Sequence, residues 1–272
     1  MGRHSELRHP ILQCLAVGLL WGVMAPDAAR AQKGGLYVGF GMMGQRVNVD
    51  YQKAVDNTPS NNLSVTPGLV HQSDASSGSV AYGAGLLGGY RFALRPTGIY
   101  LSAEADMAYH AGTVQGALSG AGVSSDLNQL GEVWPEDWSF APNRSYGVTL
   151  RVGSGIPILG SGSGASLYLL LGLRRFKAGF TTEYAGCFTP EPCEEASELE
   201  SGIDQFEENF NGWVTGAGLE KRFGIIGLRG EVRYTDDGNA DRIIPFDEVG
   251  VQVPVSLNSS GLALRADILV YF

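Results

Sequence analysis

The chain has 272 residues, of which 44% are hydrophobic and 17% charged, and its formal net charge is −9. This acidic balance argues against nucleic acid as a partner, because phosphate backbones are bound through a surplus of Lys and Arg. After residue 31 the sequence contains no apolar run of about 18 residues, so no transmembrane helix is predicted there.

The first 31 residues have the composition of a secretory signal peptide. Arg3 and Arg8 give a basic start, a largely apolar stretch covers residues 11–25, and Ala29-Arg30-Ala31 supplies a small-x-small cleavage pattern. The sequence therefore predicts a cleaved signal peptide at residues 1–31 and one mature domain at residues 32–272. An N-terminal membrane anchor is the alternative.

Eight later segments alternate apolar residues with small or polar ones at period two, which is typical of a strand with two different faces. The predicted strands are Leu36–Arg46, Val80–Phe92, Ile99–His110, Ser145–Gly155, Leu167–Phe176, Trp213–Phe223, Ile226–Tyr234 and Leu262–Phe272. In the last one the even-numbered positions are apolar, while Arg265 and Asp267 have the opposite parity. Its length matches the roughly 9–11 residues that a tilted strand needs to cross a bilayer.

The connections between these segments alternate in length. Strands two and three, four and five, and six and seven are separated by short links, and the other links are long. Outer-membrane barrels have short periplasmic turns and long external loops. The predicted fold is therefore all-β: a transmembrane, antiparallel, up-and-down β-barrel of eight strands. Val249–Leu257 either extends the last hairpin above the membrane or adds a strand, and Pro254 disfavours a central strand.

The two faces of these strands predict two environments. The apolar set would contact lipid, and the opposite set would point into the lumen. Charges of both signs in a low-dielectric lumen must pair, so we expect an ion-pair network with glycines making room beside long side chains. Eight strands enclose a lumen that side chains fill, which disfavours an open channel. The predicted network consists of Arg91, Glu104, Asp106, Arg151, Arg174, Glu220, Arg222, Arg229, Glu231, Arg233, Arg265 and Asp267.

Terminal Phe272, the alternation before it, the signal sequence and the loop pattern together resemble small outer-membrane barrels of the OmpA/OmpX type, within the broader class of outer-membrane β-barrel or opacity-like surface proteins. The resemblance covers most of residues 36–272 and is one of pattern. It implies a Gram-negative outer-membrane location, with outer-membrane lipid, lipopolysaccharide, the barrel-assembly machinery and an extracellular partner of the loops as expected partners. It also implies a C-terminal assembly signal at Leu264, Ala266, Ile268, Val270 and Phe272.

Cys187 and Cys193 are the two cysteines of the predicted mature chain. In an exported protein such a pair predicts a local disulfide, and metal binding is the alternative. The acidic stretch Glu183–Glu208 lacks Lys and Arg, so it is interpreted either as a solvated loop or as a surface for divalent cations or a basic partner. No cofactor or metal site is predicted.

Three function classes remain. The favoured hypothesis is a non-enzymatic structural or surface barrel. A lipid A-modifying hydrolase or acyltransferase is the second, with His110 and Asp106 on one inward face as candidate residues. Lipid A deacylase barrels carry a His-x-Ser-Asn motif, and His110-Ala111-Gly112-Thr113 lacks the serine. A narrow porin-like channel is the third.

Overall fold

The computed structural model describes residues 34–59, 68–94, 98–119, 136–156, 165–186, 196–198, 200–246 and 250–272. The predicted signal peptide and the Cys187–Cys193 pair lie outside these ranges. Within them the chain forms β1 (Gly35–Asp56), β2 (Val70–Leu94), β3 (Ile99–Ala111), β4 (Val114–Leu118), β5 (Glu136–Gly155), β6 (Ala165–Gly186), β7 (Glu200–Phe223), β8 (Ile226–Phe246) and β9 (Val251–Tyr271). A 3-10 turn covers Ala196–Glu198. The described ranges contain no helix that could span a bilayer.

The strands form a closed antiparallel ring. Apart from β3 and β4, consecutive strands pair with each other, and β1 pairs with β9 as well as with β2. Both β3 and β4 pair with β5, and β4 continues β3 after an interruption at Gly112, whose φ is +122°. Together they occupy one position, so the ring has eight positions built from nine strands. The predicted all-β, up-and-down barrel is confirmed.

The strands are about twice as long as a membrane crossing requires. The longest, β2, has 25 residues. At about 3.3 Å per residue and a tilt of about 40°, a strand of that length rises roughly 60 Å, whereas the apolar band of a barrel is about 25 Å tall. The barrel wall therefore continues well beyond one edge of the band. This extension lies at the end opposite the chain termini.

At these strand ends the connections are shorter than the sequence suggests, because the strands continue into them. They are residues 57–69, 119–135, 187–199 and 247–250, and the first three are still longer than any connection at the opposite end. Val251–Tyr271 is one strand that includes Pro254, so the Val249–Leu257 run extends the last hairpin instead of adding a strand. The alternation continues into these extensions, but with the apolar residues on the inward face. The pattern of outward apolar residues therefore ends before the strands do.

An apolar belt surrounds the outer wall. The even-numbered residues of the last strand lie on this surface, and Phe272 is 74% exposed. On β2 the belt runs from Tyr82 to Phe92, which corresponds to about 25 Å along the barrel axis. Aromatic side chains mark its two edges, as in membrane barrels. They are Tyr82, Tyr109, Tyr146, Trp213 and Tyr234 on the long-loop side, and Tyr90, Phe92, Phe223 and Phe272 on the short-turn side.

Inward glycines make room for large side chains that cross the lumen. A Cβ on Gly153 would lie 2.6 Å from the ring of buried Tyr100, and one on Gly89 would lie 2.6 Å from the Tyr37 hydroxyl. Gly44, in contrast, lies in the outer wall, and a Cβ there would meet no atom within 4 Å.

We expect Gly153→Val to destabilise the barrel by about 1–3 kcal/mol, because the Tyr100 ring would have to leave its packed position. Gly44→Val is the matched control, since its side chain would project into open space. Urea unfolding in lipid vesicles measures both. Equal stability of the two variants would contradict the close packing of Tyr100 against Gly153.

Candidate functional site

The lumen is the candidate site, and at the short-turn end a salt bridge crosses it. Arg91 on β2 contacts Glu220 on β7 at 2.7 Å, and these strands lie four positions apart in the ring of eight. Tyr271 donates a hydrogen bond to Glu220, and the Arg91 guanidinium lies 4.2 Å from the centre of the Tyr100 ring. Opposite walls are therefore joined directly by side chains.

Glu104 is the centre of the next layer. It accepts hydrogen bonds from Arg151 at 2.6 Å and from Arg229 at 2.7 Å, and Arg229 also donates to Asp267 at 2.7 Å. All four side chains are at least 98% buried. Arg229 and Glu104 again come from opposite walls, β8 and β3. Buried charges are stabilised only when paired in this way, because leaving water is costly.

A third group of charges lies toward the long-loop end. Arg233 contacts Glu231 at 2.5 Å. Arg265 contacts Asp106 at 3.2 Å and Asp267 at 2.6 Å. Ten of the twelve residues of the predicted lumen set therefore meet one another in ion pairs.

Arg222 and Arg174 have different partners from the other predicted charges. Arg222 donates to the Gly224 carbonyl oxygen and lies 4.1 Å from the centre of the Tyr271 ring. Arg174 faces Asp237 at 3.6 Å. Asp237 keeps the inward, odd-numbered parity of Arg229, Glu231 and Arg233, and it was not predicted because the predicted strand ended at Tyr234.

His110, the candidate catalytic residue, faces the lumen and pairs with a serine. Its Nε2 lies 2.9 Å from the Ser145 hydroxyl and 3.4 Å from Arg174. Asp106 interacts with Arg265 and Arg233, and no hydrogen bond between Asp106 and His110 is seen in the described part of the chain. Ser145 was not predicted, because the histidine motif of the deacylases places its serine two residues after the histidine.

Above His110 the polarity of the lumen inverts and its lining becomes an aromatic and aliphatic core. Phe140, Phe176 and Phe210 are at most 1% exposed, and their ring centres are 5.8–6.1 Å apart. Such spacings are typical of favourable aromatic pairs. The core also contains Val47, Val49, Tyr51, Val55, Ala81, Val114, Leu118, Trp138, Ala178, Phe180, Ala240, Val251, Val253, Val255 and Leu257. This second core was not predicted from the sequence.

Tyr51 connects opposite walls within this core. Its ring centre lies 4.9 Å from that of Phe180, and β1 and β6 are four ring positions apart. Its hydroxyl donates to buried Glu136 at 2.5 Å, and Lys53 also pairs with that carboxylate. Lys53 and Glu136 lie in segments that were predicted to be loops, so their ion pair was not predicted.

The predicted acidic loop is partly strand. Asp204, Glu207 and Glu208 belong to β7, where Glu207 pairs with Lys177 at 2.5 Å and Glu208 with Arg242 at 2.9 Å. The C-terminal positions Leu264, Ala266, Ile268, Val270 and Phe272 lie on the outer belt. Among the described residues no group of three or more His, Cys, Asp and Glu side chains is arranged to hold a metal ion.

No protein-family model and no curated protein matches the chain. Among solved structures, the outer membrane protease OmpT from Escherichia coli aligns with a TM-score of 0.40 and 9% identity, over 90% of this chain and 100% of that one. The outer membrane protein AlkL aligns with a TM-score of 0.29 and 14% identity, over 89% and 91%. A FadL homologue from Pseudomonas aeruginosa aligns with a TM-score of 0.23 and 8% identity, over 92% of this chain and 93% of that one. The fold of this chain is a closed antiparallel β-barrel, and at these TM-scores and identities the similarities assign it to no family, including the OmpA/OmpX and opacity-like proteins.

Proposed function

We propose that the chain is an integral outer-membrane barrel with a closed lumen and a non-enzymatic, structural or surface role. The observation that carries the proposal is that side chains from opposite walls meet at successive heights of the lumen. They are Arg91 with Glu220, Glu104 with Arg229, and Tyr51 with Phe180. The apolar belt supplies the lipid-facing surface. A closer relation to small barrels of the OmpA/OmpX type is also proposed, and it is supported by the eight positions of the ring.

The proposal excludes a diffusion channel on energetic grounds. A water-filled path would have to separate Glu104 from Arg229, both of which are buried and directly bonded. Leaving one such charge uncompensated costs about 3–5 kcal/mol. The aromatic core at the long-loop end would have to open as well. Two unrelated interactions would therefore oppose conduction.

The same enclosure argues against lipid A hydrolysis. A hydrolase needs its nucleophile and base exposed to the substrate. The Ser145 side chain is buried, and His110 packs edge-on against Phe176 at 5.7 Å between ring centres. The pair therefore faces the lumen and not the lipid. We assign it to packing and hydrogen bonding at the boundary between the charged and aromatic layers.

We place the long-loop end outside the cell, because outer-membrane barrels have short periplasmic turns. The extended wall then stands above the lipid and presents a polar outer face, with Asp50, Asp74 and Asp241 among its exposed residues. Supported by an internal core, this wall would hold the connecting loops at a fixed height. A binding or covering role at the cell surface follows from that arrangement.

Gel mobility of the outer-membrane fraction tests the architecture, and planar-bilayer recording tests the closed lumen. We expect the chain in the outer-membrane fraction, with a different mobility before and after boiling. We also expect no stable conductance from refolded protein. A chain confined to the soluble periplasm with no boiling shift would refute the membrane barrel. A large, stable conductance would refute the closed lumen alone.

A further inference from the structure

Three basic side chains form a patch on the outer wall, across β5 and β6. Arg144 is the cross-strand neighbour of Lys177, and Tyr146 is the neighbour of Arg175. Arg175 is exposed, and Arg144 and Lys177 are partly exposed. Cross-strand Cβ atoms lie about 5 Å apart and diagonal ones about 7–8 Å apart. The three cationic groups can therefore reach one anionic group between them.

The patch lies at the long-loop edge of the apolar belt. The belt ends at Tyr146 on β5 and at Leu173 on β6, where Leu173 is 73% exposed. The next outward residues are Arg144 and Arg175. In the proposed orientation this is the level at which the headgroups of the outer leaflet begin.

The two arginines have no protein counter-ion within the part of the chain that the structure describes. Lys177 pairs with Glu207, whose side chain is 56% exposed, so that contact is open to competition by solvent and ligands. Arg144 and Arg175 differ in this respect from the central arginines of the lumen, each of which contacts at least one carboxylate. The chain has 28 acidic residues, and none of the described ones pairs with these two guanidinium groups.

Arg144 keeps the outward, even-numbered parity of Tyr146, Val148 and Leu150 on β5. A β-bulge lies directly beside it, because the register shifts between Pro142 and Arg144, and beyond this point Phe140 and Pro142 are buried in the inward face. Bulges commonly re-aim side chains in this way. Arg144 pairs with outward Lys177, so the basic patch begins directly next to the bulge.

Positive charge at this level is concentrated on β5 and β6. The first outward polar residues of other strands are Arg46 on β1, Ser260 on β9, Asp236 on β8 and Asn211 on β7. Of these only Arg46 is basic, and it donates to Asn48 at 3.4 Å. The patch is therefore a local feature, in a chain whose overall charge is negative.

We infer that Arg144, Arg175 and Lys177 bind the phosphate headgroup of a phosphorylated glycolipid in the outer leaflet, with Tyr146 at the hydrocarbon boundary below it. Guanidinium groups match phosphate oxygens in a planar, two-bond geometry, and the low-dielectric boundary strengthens the attraction. This inference rests on the proposed function, because it requires the long-loop end to face the outer leaflet.

The test uses the full mature chain refolded in neutral detergent and titrated with bisphosphorylated lipid A, with binding measured by native mass spectrometry. We expect the Arg144→Gln/Arg175→Gln variant to bind roughly 30-fold more weakly, because each interfacial arginine contributes about 1 kcal/mol. Arg46→Gln is the matched control and should bind like the wild type. Lipid A without phosphates should bind the wild type as weakly as the double variant binds the phosphorylated form.

Three results would overturn the site: unchanged binding by the double variant, an equal loss in Arg46→Gln, or displacement of the lipid by inorganic phosphate at matched phosphate concentration. The last would indicate a small-anion site. Each variant is also refolded into phosphatidylcholine vesicles and checked for a boiling shift. A wild type without that shift refutes the proposed function and this site with it, whereas a shift without phosphate preference refutes the site alone.

Discussion

Arg229→Met is expected to lower the free energy of unfolding by about 3–5 kcal/mol, because it removes the shared partner of several buried carboxylates. Arg229 lies 2.7 Å from both Glu104 and Asp267 and 3.4 Å from Glu231, and its side chain is 1% exposed. Methionine keeps much of the volume, so the change tests charge pairing more than packing. Urea titration of tryptophan fluorescence in lipid vesicles measures the effect.

Lys177→Met is the matched control for the loss of a paired cation. The Lys177–Glu207 pair is similarly short, but both side chains are partly exposed. Exposed ion pairs contribute about 0–1 kcal/mol, so this variant should unfold close to the wild type. Equal stability of Arg229→Met and Lys177→Met would mean that the lumenal charges are hydrated. That result would contradict a closed lumen.

Phe210→Ala is expected to cost about 3–5 kcal/mol, the usual effect of removing a fully buried aromatic ring. Phe210 is 0% exposed and packs against Phe140 and Phe176 at 5.8 and 6.0 Å between ring centres. Because these contacts lie above the belt, we expect amide exchange to increase first in the long-loop half of the barrel. Hydrogen exchange followed by mass spectrometry locates the change.

Ile203→Ala, on the same strand, controls for the loss of an apolar side chain. Ile203 faces outward and is 67% exposed, so its truncation should change stability by about 0.5 kcal/mol or less. A large effect at Ile203, or none at Phe210, would mean that the extended wall is not supported by an internal core.

The membrane-crossing half of the fold was predictable from local pattern. Outward Leu150, Leu171 and Leu264 alternate with inward glycines and charges, and strand pairing needs little more than that alternation and short turns. The lumenal set followed from parity alone, since residues of one parity share one face. Which charges meet across the lumen was not predictable, because Arg91 and Glu220 are distant in sequence and come together only when the ring closes.

The extended half was missed because its alternation has the opposite polarity. Val47, Val49 and Tyr51 point inward between polar Asn48 and Asp50, as in a soluble barrel. A period-two pattern states that two faces differ but not which face is inside. Outside the belt water replaces lipid, so the apolar face turns inward, and the height at which this happens depends on where the whole ring crosses the belt.

Local pattern is enough to derive the all-β architecture, the parity of each membrane-crossing segment and the inward placement of its charges, because side-chain direction in a strand is a local property. The partners of those charges and the aromatic core above them depend on the tertiary structure. So does the inward turn of Phe140 and Pro142, which follows a bulge between paired strands next to Arg144. Each of these requires residues from different parts of the chain to meet, and ring closure brings them together.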